Sequence, residues 1–138
     1  MTLVPLRALL CEAEFAMRPT IHVVDDDAPT RRALTRLIEA LGFTVESFES
    51  GEAFIASSAS DSAACLLVDI HMPGMNGVEL CLKLASSGRA IPVILMSAHR
   101  DPHTRMLAGQ ANPIATLYKP FDEVELLDAI SRAIAHSP

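Results

Sequence analysis

Basic charge is scarce in this chain: 11 Lys and Arg stand against 17 Asp and Glu, a formal net charge of −6. An extended cationic surface for nucleic acid or an anionic membrane is therefore disfavoured, and small cations or basic partner patches are favoured instead. Cysteine is sparse as well. Cys11, Cys65 and Cys81 share no metal-ligand spacing, and an odd number without a secretory signal argues against a disulfide framework. A reducing cytoplasm is the expected compartment. No apolar run approaches the roughly 20 residues that cross a bilayer. The leading segment is interrupted by Pro5 and turns acidic at Glu12 and Glu14, so it reads as neither a span nor a signal peptide. Leu9-Leu10-Cys11 fails as a lipoprotein cleavage site because Leu10 is not the small residue such a site wants.

What is present suits one compact domain: 138 residues, 50% of them hydrophobic. From Thr20 onward, short β-branched runs alternate with amphipathic stretches. Strands are expected at Ile21–Val24, Thr44–Phe48, Cys65–Val68, Val93–Met96 and Ile114–Tyr118. Helices are expected at Thr30–Leu41, Ser50–Ile55, Val78–Ala85, Pro102–Gly109 and Glu123–Ala135. Gly42 supplies a helix stop, and Asn112-Pro113 another before the last strand. Strict alternation predicts an α/β doubly wound five-stranded parallel sheet, and the flavodoxin-like order 2-1-3-4-5 is the common solution. Ligands then bind where the strand order reverses, beyond the carboxyl ends of the first and third strands.

Residues 1–19 fall outside the alternation and read as an N-terminal extension to a domain over 20–138. Met17, followed directly by the first strand region, is read as the native start. The alternative is a short surface helix over Leu6–Phe15.

The chemistry concentrates in carboxylates. Ile21-His22-Val23-Val24 runs straight into Asp25-Asp26-Asp27, and Leu66-Leu67-Val68 into Asp69. Two carboxylates about 4 Å apart repel by roughly 4 kcal/mol at an effective dielectric near 20. Folding alone gives no reason to accept that cost, whereas a divalent cation removes it. An oxygen-only ligand set points to Mg2+. Helix capping accounts for one of the three consecutive aspartates and no more.

Val24-Asp25-Asp26, Asp69 with Met72-Pro73-Gly74-Met75-Asn76-Gly77, Ser97-Ala98 and Lys119-Pro120-Phe121 occur in the order of a known signature. Over about residues 20–135 the chain resembles the receiver domain of two-component response regulators. Val24-Asp25-Asp26-Asp27, Ile91-Pro92-Val93-Ile94 and Leu117-Tyr118-Lys119-Pro120-Phe121 resemble the FixJ-like subfamily in particular.

The resemblance implies that Asp69 accepts a phosphoryl group from a sensor histidine kinase or phosphotransfer protein. It implies Mg2+ held by Asp26, by Asp25 through water, by Asp69 and by the backbone carbonyl of His71. Ser97 and Lys119 would bind the phosphoryl oxygens, with a cis bond between Lys119 and Pro120. Such a protein is a phosphoprotein of phosphorelay signal transduction. It is not an enzyme beyond self-catalysed transfer and slow autodephosphorylation. Output would pass through protein contacts of the fourth helix, fifth strand and fifth helix, to a downstream target, an output domain or a phosphorylation-dependent homodimer. The last helix is expected to end near Ala135, so the chain reads as a stand-alone regulator or one lacking its output domain.

Two departures stand out. Receivers place an aromatic residue three before the lysine, where this chain has Thr116, with Tyr118 next to Lys119 instead. Histidine occupies the flanking positions 71 and 99, where receivers tune how fast water reaches the acyl phosphate. Because imidazole changes charge near neutrality, pH-dependent tuning is expected. His99 and His103 also have metal-compatible spacing, but they straddle Pro102 and lack a third ligand.

Rival functions fit less well. A phosphatase of the haloacid dehalogenase type needs Asp-x-Asp-x-Thr/Val after the first strand, and Pro29 occupies the last of those positions. A flavin mononucleotide binder shares the fold but needs a hydroxyl- and glycine-rich phosphate loop, where this chain has three negative charges. A receiver-like module that binds partners without phosphorylation would not need all four reactive positions.

Overall fold

The computed structural model describes residues 19–61 and 63–136. The expected N-terminal extension lies outside the described residues except for Pro19, as do the proposed start at Met17 and the alternative helix over Leu6–Phe15. The elements run β1 (Thr20–Val24), α1 (Ala28–Ala40), β2 (Thr44–Phe48), α2 (Gly51–Ala56), β3 (Cys65–Asp69), α3 (Gly77–Ser86), β4 (Val93–Ser97), α4 (Pro102–Gln110), β5 (Ala115–Tyr118) and α5 (Glu123–Ala135). A single 3-10 turn, Ser58–Asp61, follows α2. All strand pairs are parallel, in the order β2-β1-β3-β4-β5.

Burial follows that order. The central strands β3 and β4 are buried throughout, whereas the edge strands β2 and β5 are largely half-exposed. Side chains alternate between two cores, as successive strand residues must. Ile21, Val23, Leu67, Ile94 and Met96 pack under α1 and α5, which contribute Leu34, Ile38, Leu126 and Ile130. Val24, Leu66, Val68, Val93 and Leu95 pack on the other face against Phe54, Leu80, Leu84 and Ala108 of α2, α3 and α4. Each core also holds one free thiol, Cys65 in the first and Cys81 in the second. Burial pushes both thiols up to about 12.

The helices start at polar caps. Asp27, Ser50, Asn76, Asp101 and Asp122 each accept a backbone N–H from the first turn of α1 to α5. Asn76 and Glu79 form a reciprocal capping box. Because Asp27 is the cap, α1 begins two residues earlier than the hydrophobic pattern indicates, with Pro29 in its first turn. Gly42 follows α1 at φ 98° and Asn112 precedes β5 at φ 49°, the left-handed geometry that both stops require. β3 and β4 each run one residue longer than expected, to include Asp69 and Ser97. At the base of α3 the Gly77 N–H donates to the Ile70 carbonyl at 3.0 Å, and a Cβ at Gly77 would collide with the Asp69 carbonyl. The absence of a side chain there lets α3 pack directly on the strand end that carries Asp69.

A polar ring is also buried within β1, away from the strand ends. His22 of β1 is 3% exposed and lies opposite Glu46 of β2, with its ring near those of Phe48 and Phe54. Burial lowers its pKa below 6.5 against the opposing pull of Glu46, whose carboxylate is 3.6 Å away. The native state therefore favours neutral imidazole, while the unfolded chain takes up a proton as pH falls through its ordinary value. The His22 contribution is fully present above that value and is lost on acidification. Urea midpoints measured from about pH 7.5 down to about 5 should fall more steeply for the wild type than for His22→Leu. Parallel profiles would contradict this.

Candidate functional site

The order reversal between β1 and β3 opens a crevice at their carboxyl ends. Asp25 follows β1, fully buried, its N–H bonded to the Phe48 carbonyl at 3.1 Å. Its carboxylate accepts the Asp27 N–H at 2.9 Å, and the Arg31 guanidinium donates to its backbone carbonyl at 2.7 Å. Asp69 ends β3, and its carboxylate accepts the His71 N–H at 2.9 Å. Lys119, after β5, enters a cis peptide bond with Pro120, as the resemblance implied. Its ammonium donates to Asp69 at 2.8 Å and to Asp25 at 3.2 Å.

Asp25, Asp26 and Asp69 each offer a carboxylate oxygen, all within 4.8 Å of one another. Among the described residues no other group of three metal-type side chains converges in this way, so His99 and His103 do not form a metal centre with a third ligand. Asp27 stays outside the cluster as the cap of α1. Electrostatics favour a cation. Burial is the largest influence on Asp25 and raises its pKa, with Asp69 pushing the same way and Asp27 N–H and Lys119 opposing. Burial works to lower the Lys119 pKa, but Asp69 and Asp25 outweigh it and the net direction is upward. Three carboxylates against one ammonium leave negative charge uncompensated, and a hard divalent ion with oxygen ligands and retained waters fits that donor set.

Ser97 ends β4, and its buried hydroxyl donates to the His99 carbonyl at 3.1 Å and accepts the His99 N–H at 2.9 Å. The Lys119 N–H donates to the Ser97 carbonyl at 2.8 Å, so the last two strand ends are tied together. His71 and His99, read separately from sequence, meet edge to face with ring centres 4.7 Å apart. The His71 Nε2 also lies 3.5 Å from the hydroxyl of buried Thr104 on α4. Thr116 and Tyr118 are half-buried on either side of buried Leu117, and the Arg100 guanidinium lies 4.9 Å over the Tyr118 ring. Sequence reasoning missed Arg31, Arg100 and Thr104. Arginine and threonine carry no spacing signal here, since the loop path and the α4 first turn bring them in.

A doubly wound sheet with this cluster at its reversal point agrees with the class that the sequence resembles. The family model of the response regulator receiver domain matches residues 21–131, and the chain belongs to that family. It is 37% identical over 118 residues to the response regulator protein TmoT of Ectopseudomonas mendocina, covering 86% of this chain and 54% of TmoT. It is 35% identical over 117 residues to the transcriptional regulatory protein FixJ of Rhizobium meliloti (strain 1021), covering 85% of this chain and 57% of FixJ. The chain thus spans about half the length of these curated relatives. It superposes on the crystal structure of FixJ-N with a TM-score of 0.80 at 34% identity, over 87% of this chain and 96% of that one. The FixJ-like resemblance is borne out.

The Lys119 bridge yields a prediction. Lys119→Met leaves Asp25 and Asp69 facing each other without their ammonium, an uncompensated pair that should cost about 1–3 kcal/mol. Urea denaturation in metal-free buffer checks it, and adding a magnesium salt should shrink the deficit. A variant as stable as wild type in metal-free buffer would contradict the bridge's role.

Proposed function

We propose that the chain accepts a phosphoryl group on Asp69 and uses it to switch protein contacts. The observation that carries this reading is the Lys119 ammonium held between Asp69 and buried Asp25 at the reversal point. It supplies a point charge beside a carboxylate nucleophile, suited to phosphoryl oxygens. Asp26, Asp25, Asp69 and the His71 backbone carbonyl would hold Mg2+, and the ion would neutralise charge on the phosphoryl oxygens during transfer.

In the transfer step an Asp69 carboxylate oxygen attacks phosphorus of a partner's phosphohistidine. The P–N bond breaks with its electron pair left on the imidazole nitrogen, and an acyl phosphate forms. Water later attacks the same phosphorus, giving inorganic phosphate, restoring the carboxylate and releasing a proton to solvent. Phosphorylation adds roughly −1.5 to −2 charge and three strong acceptors. Lys119 and Ser97 then gain interactions that exist in the phosphorylated state alone, which is what shifts a two-state equilibrium. The donors are a sensor histidine kinase or phosphotransfer protein. The recipients are a downstream protein, an output domain or a second copy of the chain.

No described helix is long and apolar enough to cross a membrane. The cytoplasmic setting proposed here rests instead on the phosphorelay reading, since the kinase domains that would donate the phosphoryl group act there. The chemistry stops at self-catalysed transfer and slow hydrolysis, without turnover of a separate substrate.

Incubation with acetyl phosphate and Mg2+ should add a single phosphoryl group by intact mass. Asp69→Ala and chelation of the metal should both abolish it. An adduct that persists in Asp69→Ala would overturn the assignment. The pairing of the His71 and His99 rings, with the His71 N–H bonded to the Asp69 carboxylate, supports a role for them in limiting the approach of water to the acyl phosphate. His99→Ala should therefore shorten the acyl-phosphate half-life severalfold, and an unchanged decay rate would remove His99 from that role.

A further inference from the structure

Thr116 cannot serve as an aromatic reporter of phosphorylation, yet an aromatic ring does sit at the end of β5. Tyr118 pairs in register with Ser97 across the β4–β5 ladder. The loop that leaves Ser97 is short, since Asp101 already caps α4. Two contacts define its course. On the site side the Ser97 hydroxyl binds both the N–H and the carbonyl of His99. On the outer side the next residue, Arg100, lays its guanidinium over Tyr118.

We propose that Arg100 and Tyr118 form a latch that is released when the Ser97 hydroxyl turns to the phosphoryl group. This inference rests on the phosphoacceptor reading of Asp69. The reason is a count of protons. A serine hydroxyl has one to donate, and here it goes to the His99 carbonyl. Donation to a phosphoryl oxygen takes it away, and a charged acceptor is the stronger competitor. The His99 carbonyl then loses its partner, and Arg100 is the residue joined to that carbonyl through its peptide bond.

An exposed cation–π contact is weak, so a small rotation of that peptide suffices to move the guanidinium off the ring. The same displacement reaches α4, whose cap Asp101 is the following residue and whose buried Thr104 contacts His71. Arg100 acts here as a positioning residue. It holds Tyr118 and the start of α4 in the unphosphorylated arrangement and touches neither Asp69 nor its carboxylate neighbours in the hydrogen bonds of the site.

The composition supplies the probe, because Tyr118 is the sole tyrosine and the chain has no tryptophan. Near-UV circular dichroism in the tyrosine band therefore reads this one ring. The full chain is treated with acetyl phosphate and Mg2+, with occupancy followed by intact mass. Wild type should change its tyrosine ellipticity in proportion to occupancy. Arg100→Met should accept phosphate as wild type does, show an altered signal beforehand, and lose most of the phosphorylation-dependent change. Arg100→Lys keeps a cation and should restore part of it. Ser97→Ala lacks the hydroxyl that holds the His99 carbonyl, so it should show a released-type tyrosine signal before treatment and little further change at its own measured occupancy.

A phosphorylated wild type with an unchanged tyrosine signal would overturn the latch while leaving the phosphoacceptor reading intact. So would a full-sized change in Arg100→Met or in phosphorylated Ser97→Ala. Failure of wild type to take up phosphate would overturn both.

Discussion

Carboxylate crowding at the ends of β1 and β3 is the constraint around which the rest of the structure is arranged. Asp25 is fully buried beside Asp69 and close to Asp26, and like charges at that separation are costly in a medium poorer in water than the surface. The fold answers with donors from several directions: backbone N–H groups of Asp27 and His71, and the ammonium of Lys119. Each depends on a strand ending at the right level. Lys119 reaches the carboxylates because β5 is placed by β4, and its own backbone N–H is bonded to Ser97. A cluster that is electrostatically unfavourable by itself is held open by a sheet whose two cores supply the stability. What remains is negative charge available to a divalent cation and a carboxylate, Asp69, already aligned with a fixed positive charge.

Much of this was legible in the residues because buried parallel strands are short, β-branched and apolar, so their carboxyl ends can be read off almost by position. Val24 to Asp25 and Val68 to Asp69 are such transitions, and the topology then brings them together. The order of the strands needed the fold class as well as periodicity. Helix starts were read one to two residues late where a polar cap lies outside the hydrophobic pattern, as at Asp27 before α1. His22 was not anticipated as a buried group, since a fully packed strand gives no signal for which of its residues tolerates a polar ring. The meeting of His71 with His99, and of Arg100 with Tyr118, depends on the course of loops, for which sequence spacing carries no information.

The departure at Thr116 separates two questions that the family signature joins. The proposed acceptance of a phosphoryl group draws on Asp69, its carboxylate neighbours and Lys119, all of which converge. Transmission requires a group whose position depends on what Ser97 is bonded to. In this chain the hydroxyl is fully engaged with the backbone of its own loop, so Ser97, the proposed switch residue, is already satisfied. A new acceptor must compete with an existing partner, which sets a threshold that a free hydroxyl would not have.

The two buried thiols carry a consequence for what the domain can sense. Cys65 and Cys81 lie in opposite cores, each held protonated by its surroundings to about 12. Oxidants and alkylating electrophiles attack thiolate, and neither residue presents one near neutral pH. Neither core thiol therefore presents a ready target for disulfide exchange. At these two positions the receiver domain is deaf to thiol-directed signals from its surroundings.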